Sequence, residues 1–308
     1  MAAGPLVFDR SLLRARRLRA QGLGPSTFLI DRVADELGDR LAAVLRRFER
    51  AVDLGTPTDA VRRVLAASGK VGAFIAADPL AGVASFALSR SQGRAEALAV
   101  AADEEALPFR DGSLDLVVSA LALEFVNDLP GTLIQVRRAL KPDGLLLAAL
   151  AGGDTLTELR QAFAGAEAEI EDGISPRVAP FADVRELGAL LQRAGFALPV
   201  TDVDRLTVRY ASPIALMHDL RRMGATNALV ERRRRPLKPA LLRRMVEIYG
   251  ERFSDPDGRI RATFEIVWLS GWAPHASQQK PLAPGSARQR LADALGVKER
   301  PAGEKAGR

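Results

Sequence analysis

The chain has 308 residues, of which 47% are apolar and 27% charged, and its net charge is +6. This length permits a large core, and the composition excludes an intrinsically disordered chain. Cysteine is absent, which excludes disulfides, thiolate metal sites and a cysteine nucleophile; the two histidines stand far apart, so we expect no metal site. Aromatic residues make up only 5%, too few for a base-stacking platform, and we do not expect a nucleic-acid partner.

Residues 1–47 are predicted to form a helical extension. The arginine-rich stretch over residues 14–19 favours a surface helix, with an amphipathic targeting peptide as the alternative. A second helix is predicted from about residue 26 to residue 48, because apolar residues recur every four positions. These positions are Leu29, Val33, Leu37, Leu41 and Leu45.

Short apolar runs that alternate with helix-length segments follow the extension. They lie at residues 51–55, 71–78, 95–101, 114–119 and 144–150. Such alternation predicts βαβ units, and hence an α/β fold with a doubly wound, mostly parallel sheet. Two later runs of strand composition, residues 201–210 and 260–272, are predicted to complete seven strands as an antiparallel pair. Helical stretches between them predict an insertion over about residues 212–254.

We therefore expect one domain over residues 48–275 and, beyond it, a disordered basic tail over residues 276–308 that is rich in proline, glycine, lysine and arginine. The start of the chain does not have the pattern of a secretory signal, and its longest apolar stretch, residues 114–126, is too short to span a bilayer. A cytoplasmic location is the resulting expectation. Locally, residues 155–158 predict a capping box, in which Thr155 accepts a backbone N–H and Glu158 reaches back.

Acidic residues follow three successive predicted strands. Asp53 lies in an Asp-Leu-Gly turn, and Asp78 follows it at roughly the 20-residue offset that places a carboxylate on a ribose diol. Asp103 and Glu104 end the third strand, where a carboxylate can accept a hydrogen bond from an adenine amino group. Because ligands of doubly wound sheets bind at the carboxyl ends of strands, these groups predict a nucleoside crevice.

The ordered series of motifs from residue 50 to residue 150 resembles class I S-adenosylmethionine methyltransferases. It runs Asp-Leu-Gly, Asp, Ala-Asp-Glu-Glu-Ala-Leu-Pro-Phe, Leu-Asp-Leu-Val-Val-Ser and Leu-Lys-Pro-Asp-Gly. The resemblance implies S-adenosylmethionine as cofactor. Glu124, near the end of the fourth predicted strand, is the one candidate for a catalytic base. The implied cofactor-binding residues are Asp53, Gly55, Thr56, Asp78, Pro79, Asp103, Glu104 and Ala120.

Motifs outside that series resemble more closely the family of the mitochondrial complex I assembly factor with a methyltransferase fold, and its bacterial relatives. They lie at residues 8–10, 126–130, 152–160, 175–181, 187–196 and 262–272, and the resemblance extends to about residue 280. It implies a protein substrate or assembly partner, such as a complex I subunit, and in mitochondrial members the hydroxylation of an arginine of that complex. The malonyl-carrier-protein O-methyltransferases of biotin synthesis are a more distant resemblance.

Two segments depart from the family pattern. Thr-Pro-Thr-Asp at residues 56–59 replaces Cys-Gly-x-Gly, so that Pro57 removes an N–H and Asp59 adds a negative charge near the expected methionine carboxylate. Glu-Phe at residues 124–125 replaces His-Trp. Three interpretations follow: an S-adenosylmethionine-dependent enzyme, a non-catalytic assembly scaffold with an altered cofactor loop, and a carrier-protein O-methyltransferase.

A basic cluster lies in the predicted insertion. It comprises Arg232, Arg233, Arg234, Arg235, Lys238, Arg243 and Arg244. We predict a solvated loop and helix face, with docking of an acidic protein or a peripheral membrane contact as the alternative.

Overall fold

The computed structural model describes residues 6–80, 96–171 and 173–279, together with positions 293, 296 and 297. The chain divides into two compact units, Met1–Pro274 and His275–Arg308. All helices and strands named below belong to the first unit. Most of the predicted tail, and residue 95, where the third strand was predicted to begin, lie outside the described residues.

A seven-stranded sheet forms the centre of the first unit, in the order β3-β2-β1-β4-β5-β7-β6. The strands are β1 Phe48–Leu54, β2 Val71–Asp78, β3 Glu96–Ala101, β4 Leu114–Ala120, β5 Leu140–Ala151, β6 Ala197–Tyr210 and β7 Ile260–Trp272. The first five are parallel, and β7 pairs antiparallel with both β5 and β6. The predicted doubly wound, mostly parallel seven-stranded sheet is confirmed. Its order reverses between β1 and β4, which is where such sheets bind ligands.

Helices pack on both faces of this sheet. They are α1 Arg10–Gly22, α2 Phe28–Ala43, α3 Ala60–Ala67, α4 Leu129–Ala139, α5 Thr157–Ile170, α6 Val184–Arg193, α7 Pro213–Arg222 and α8 Pro239–Phe253. The last two form the helical insertion between β6 and β7, as predicted. Among the described residues, none of the helices has the length and apolar character needed to cross a membrane.

The core consists of two apolar clusters, one on each face. The first buries Val33, Leu37 and Leu41 of α2 against the sheet, together with residues of α3, α5, α7 and α8. The second packs α4 and α6 on the opposite face. The predicted four-residue spacing of α2 is therefore confirmed except at its end, because α2 stops at Ala43 and leaves Leu45 fully exposed.

The predicted capping box at residues 155–158 is wrong. Leu156, with φ of +56°, precedes α5. The Thr155 hydroxyl instead donates to the Glu265 carbonyl at 3.0 Å and accepts from the Glu265 N–H at 3.1 Å. Glu158 accepts from the N–H of Thr263 at 3.0 Å. β7 extends beyond the point where β5 ends, and its backbone groups there have no strand partner on that side. The side chains of Thr155 and Glu158 therefore form hydrogen bonds with β7 and do not cap the helix.

Candidate cofactor crevice and adjoining cavity

The carboxyl ends of β1, β2 and β3 bring acidic groups together at one edge of the sheet. Asp53, Asp78 and Glu104 are all buried, at 0%, 2% and 2% exposure. Their charges act on one another: Asp78 raises the pKa of Asp53, and Glu104 raises that of Asp78. Asp103 lies at the same edge with its side chain 37% exposed. These four carboxylates therefore lie where the sequence predicted them, at the carboxyl ends of three strands on one edge of the sheet.

The turn after β1 passes close to Glu104. Gly55 has a φ of +72°, and a Cβ at that position would lie 2.7 Å from the Glu104 Oε1. Thr56 is fully buried, and its hydroxyl accepts from the N–H of Ala120 at the end of β4 at 3.2 Å. The turn is thus tied to two neighbouring strands, and it admits no side chain at Gly55 while Glu104 holds this position.

Asp78 ends β2 and is followed by Pro79, which lies on the same edge. The Asp78 Oδ1 accepts from the N–H of Leu80 at 2.6 Å. Burial raises the pKa of Asp78, although the hydrogen bond from Leu80 and the charge of Arg17 act in the opposite direction. This carboxylate therefore stands at the strand end where the sequence predicted a ribose contact.

Arg62 is a buried residue of this edge that was not predicted from the sequence. It lies in α3 and is 2% exposed, and its Nη1 lies 2.7 Å from the Asp53 Oδ2. Its Nη2 donates to the Thr58 carbonyl at 2.5 Å. Burial raises the pKa of Asp53 to about 6, while the charge of Arg62 opposes the rise. Asp53 therefore stands beside a buried cation, which favours the ionised form of its carboxyl group.

Asp59, which was expected to add negative charge near the methionine carboxylate, pairs with the helix that follows the turn. The Arg63 Nε lies 3.3 Å from the Asp59 Oδ1. Arg63 also contacts Asp31 of α2 at 2.7 Å, so the two carboxylates share one arginine.

Three arginines of α1 cover the acidic edge. Arg10 lies 2.5 Å from Asp103 and 2.9 Å from Glu105, and it also contacts Glu104. Arg14 adds a contact of 2.6 Å to Asp103. Arg17 stands 4.0 Å from Glu104. We call these three arginines and their carboxylate partners the arginine latch.

The expectation of a plain surface helix at residues 14–19 is therefore wrong for part of α1. Residues 10, 14 and 17 share one helical face, and Arg17 is buried. Their spacing was the available signal, but it indicates a common face without saying what that face covers. The partners are about 90 positions away in sequence, which no local pattern reveals.

The segment before α1 joins two of the motifs that carried the family resemblance. The Asn127 Oδ1 accepts from the N–H groups of Val7 and Phe8, each at 2.8 Å. Phe8 also forms a β-bridge with Leu229 of the insertion. The N-terminal extension thereby connects the end of β4 to the insertion.

A cavity of about 390 Å³ lies beside this edge. Its wall includes Pro57 and Thr58 of the turn, together with Glu124, and parts of α1, α2, α5 and the insertion. Its apolar lining includes Phe8, Phe125, Leu159, Phe163, Phe181 and Phe264. Phe125 packs edge-on against Phe8 and Phe181, with ring centroids 5.6 Å and 6.3 Å apart.

Glu124 supplies the carboxyl group of this cavity. Its Oε2 is shielded from solvent and has no hydrogen-bond partner within the described part of the chain. Burial raises the pKa of Glu124 to about 7, although hydrogen bonds from the backbone of Glu124 and Ala151 and the charge of Arg17 oppose the rise. A carboxyl group with a free oxygen inside an apolar cavity suits a ligand that donates hydrogen bonds or carries positive charge.

Comparison with known proteins agrees with this architecture. Residues 52–148 match the model of a methyltransferase domain. Over 294 residues the chain is 37% identical to the mitochondrial arginine-hydroxylase NDUFAF5 of Danio rerio, covering 94% of this chain and 90% of the relative. It is 39% identical over 285 residues to the Homo sapiens protein of that name, covering 91% and 81%. The chain belongs to the NDUFAF5 family.

Relatives of another name are also similar to this NDUFAF5-family chain. A malonyl-[acyl-carrier protein] O-methyltransferase of Gallionella capsiferriformans (strain ES-2) is 34% identical over 275 residues, covering 87% of this chain and 92% of the relative. Among solved structures, the YcgJ protein of Bacillus subtilis superposes with a TM-score of 0.54 at 15% identity, covering 80% of this chain and all of that one. The latter likeness shows the fold alone.

Proposed function

We propose that this NDUFAF5-family chain binds S-adenosylmethionine at the acidic edge and acts on a protein partner whose side chain enters the cavity. One observation carries this proposal: the cavity and the turn after β1 share Pro57 and Thr58, so a ligand at the edge and a group in the cavity would meet there. Glu124 stands in the same wall.

The residues at the edge fit S-adenosylmethionine. Asp53 has a buried Oδ1 without a hydrogen-bond partner, which can accept from the ammonium group of the methionine part. Gly55 has no side chain and a positive φ, which allows close approach of a ligand to the backbone. Asp78 offers carboxylate oxygens to a ribose diol. When bound, the cofactor supplies the reactive chemistry, and the chain binds and orients both reactants.

Glu124 would recognise the group that the partner inserts. Its unpartnered Oε2 favours a positively charged donor, and the surrounding phenylalanine rings suit the apolar stem or flat face of such a side chain. An arginine has these properties. The mitochondrial relatives are named arginine-hydroxylases, which supports an arginine-bearing partner here. The sequence resemblance supports a partner that belongs to respiratory complex I or its assembly.

Titration calorimetry with S-adenosylmethionine tests the cofactor. We expect the wild type to bind and Asp78→Ala to lose at least about tenfold in affinity, since a charged hydrogen-bond acceptor disappears. Asp111→Ala is the matched control: Asp111 is exposed, pairs with Arg138, and precedes β4 at the opposite edge. Equal affinities of wild type and Asp78→Ala would contradict the proposed site.

A second function, that of a non-catalytic assembly scaffold, is favoured by one specific observation. The Glu104 carboxylate lies against Gly55, and the arginine latch covers the edge. If neither the wild type nor a latch variant such as Arg14→Gln binds S-adenosylmethionine at millimolar concentration, the scaffold is the better account. Rescue of a biotin-requiring strain would instead support the carrier-protein O-methyltransferase.

A further inference from the structure

Arg62 occupies an unusual place for an arginine. It lies in the first turns of α3, yet it is 2% exposed and reaches under the preceding turn. One guanidinium nitrogen pairs with Asp53 at the end of β1, at 2.7 Å, and another donates to the Thr58 carbonyl at 2.5 Å. A single side chain therefore links the strand end to the far side of the turn formed by residues 55–59.

Burial of this pair requires compensation. Taking a carboxylate and a guanidinium out of water is costly, and removing only one partner leaves an unpaired buried charge. The sequence of the turn also lacks the backbone freedom of a glycine-rich loop, because Pro57 has a fixed φ and no N–H. The position of the turn consequently depends on Arg62 rather than on backbone donors alone.

The Asp53–Arg62 pair leaves two buried atoms free. Among the described residues, neither the Asp53 Oδ1 nor the Arg62 Nε has a hydrogen-bond partner. One is an acceptor on an anion and the other a donor on a cation. These are the groups that complement the ammonium and carboxylate of an α-amino acid, whereas a nucleoside without that zwitterion has no group that needs them.

We propose that Arg62 is the positioning residue for the amino-acid end of S-adenosylmethionine. It acts through Asp53 and the turn of residues 55–59, and it makes the crevice selective for the complete cofactor over the bare thionucleoside. This inference rests on the proposed function, because it concerns the same site.

The test compares two ligands by titration calorimetry: S-adenosylmethionine, and 5′-methylthioadenosine, which keeps the nucleoside and lacks the amino acid. For Arg62→Met we expect a loss of about tenfold or more in affinity for S-adenosylmethionine, the size expected for charged hydrogen bonds, and an unchanged affinity for 5′-methylthioadenosine. Arg62→Lys should recover part of the loss. Arg138→Met is the matched control, since Arg138 is 56% exposed and pairs with Asp111 at the opposite edge of the sheet.

If Arg62 only stabilises the fold, Arg62→Met should lower the affinity for both ligands by the same factor. That result would overturn the inference. The inference would also be overturned if Arg62→Met bound S-adenosylmethionine as tightly as the wild type does. If Arg62→Met does not fold, Asp53→Asn/Arg62→Met removes both charges together and avoids the unpaired carboxylate. That variant should bind 5′-methylthioadenosine normally and S-adenosylmethionine weakly; normal binding of both overturns the inference. A wild type that binds neither ligand refutes the proposed function itself.

Discussion

Arg10 is the centre of the arginine latch, and replacing it by methionine should destabilise the fold measurably. Its guanidinium touches Asp103, Glu104 and Glu105, with its own side chain 13% exposed. Methionine keeps most of the apolar stem and removes the charge. Among the residues that the structure describes, the buried Glu104 carboxylate would then keep one cationic partner, Arg17, at 4.0 Å.

The magnitude follows from burial. Removing one partner of a fully buried ion pair costs roughly 3–5 kcal/mol. Asp103 is 37% exposed and Glu105 27%, so solvent screens part of the interaction. We therefore expect Arg10→Met to lower the free energy of unfolding by about 2–3 kcal/mol, measured by urea denaturation at neutral pH. Arg138→Met removes an exposed pair with Asp111 and should cost about 1 kcal/mol or less.

The difference between wild type and Arg10→Met should also depend on pH. Burial alone would raise the pKa of Asp103, but the Glu105 N–H and the charges of Arg10 and Arg14 together hold that pKa below its ordinary value. Stability from such a group is present above its unfolded pKa, about 3.9, and is lost as pH falls through the folded pKa. The difference should therefore shrink in acid. A loss no larger than that of Arg138→Met, or one independent of pH, would refute this reasoning.

Two further predictions concern the turn and the cavity. Gly55→Ala should lower the free energy of unfolding by about 1–3 kcal/mol, because it adds a clash with Glu104 to the strain of a positive φ. Gly69 has a φ of +64° and open space around it, so Gly69→Ala should show the backbone strain alone. Equal losses of stability in the two variants would contradict the contact between Gly55 and Glu104. Because burial raises the pKa of Glu124 to about 7, the folded state holds that proton more tightly than the unfolded state, and stability falls as pH rises from about 4.5 through 7. Glu124→Gln should remove this fall, so that near pH 8 its free energy of unfolding exceeds that of the wild type by roughly 1–3 kcal/mol. Thermal melts across pH measure the difference. If the stabilities of the two proteins depend on pH in the same way, the prediction is wrong.

The centre of the sheet could be predicted from sequence because β4 and most of β5 are buried on both faces. Most of β5 is a continuous apolar run, and β4 is a short run with only Asp115 and Ser119 as polar residues; both are bounded by turn residues. The errors occur where a long-range contact decides a local structure. Thr155 lies in a sequence typical of a helix cap, yet its hydroxyl forms hydrogen bonds with the backbone of β7 instead of with the helix.

The site divides in the same way. Asp53, Asp78 and Glu104 were predictable because topology alone brings the ends of parallel strands to one edge. The roles of Arg62 and Arg10 could not be predicted, because an arginine in a helix is usually exposed to solvent. The neighbouring sequence also does not identify the carboxylate with which each arginine pairs. Asp59 is a case that local spacing does reveal: it pairs at 3.3 Å with Arg63, four positions further along, and its effect on the cofactor carboxylate stays a prediction.

Part of the arginine content of the chain has a structural explanation in these contacts. The basic cluster of the insertion was predicted to be a solvated face, and Arg234, Arg235, Lys238 and Arg243 are exposed. The others make ion pairs: Arg233 pairs with Glu171 at 2.9 Å and Arg244 with Glu169 at 2.6 Å, both on or next to α5. Arg232 reaches Asp9 at 3.2 Å, ahead of α1. These pairs fasten the insertion to the helices that wall the cavity, just as the arginine latch fastens α1 to the acidic edge. Many arginines of this chain therefore form ion pairs that hold helices in place around the acidic edge and the cavity. For this reason, net charge alone is a poor guide to the chemistry of a binding partner.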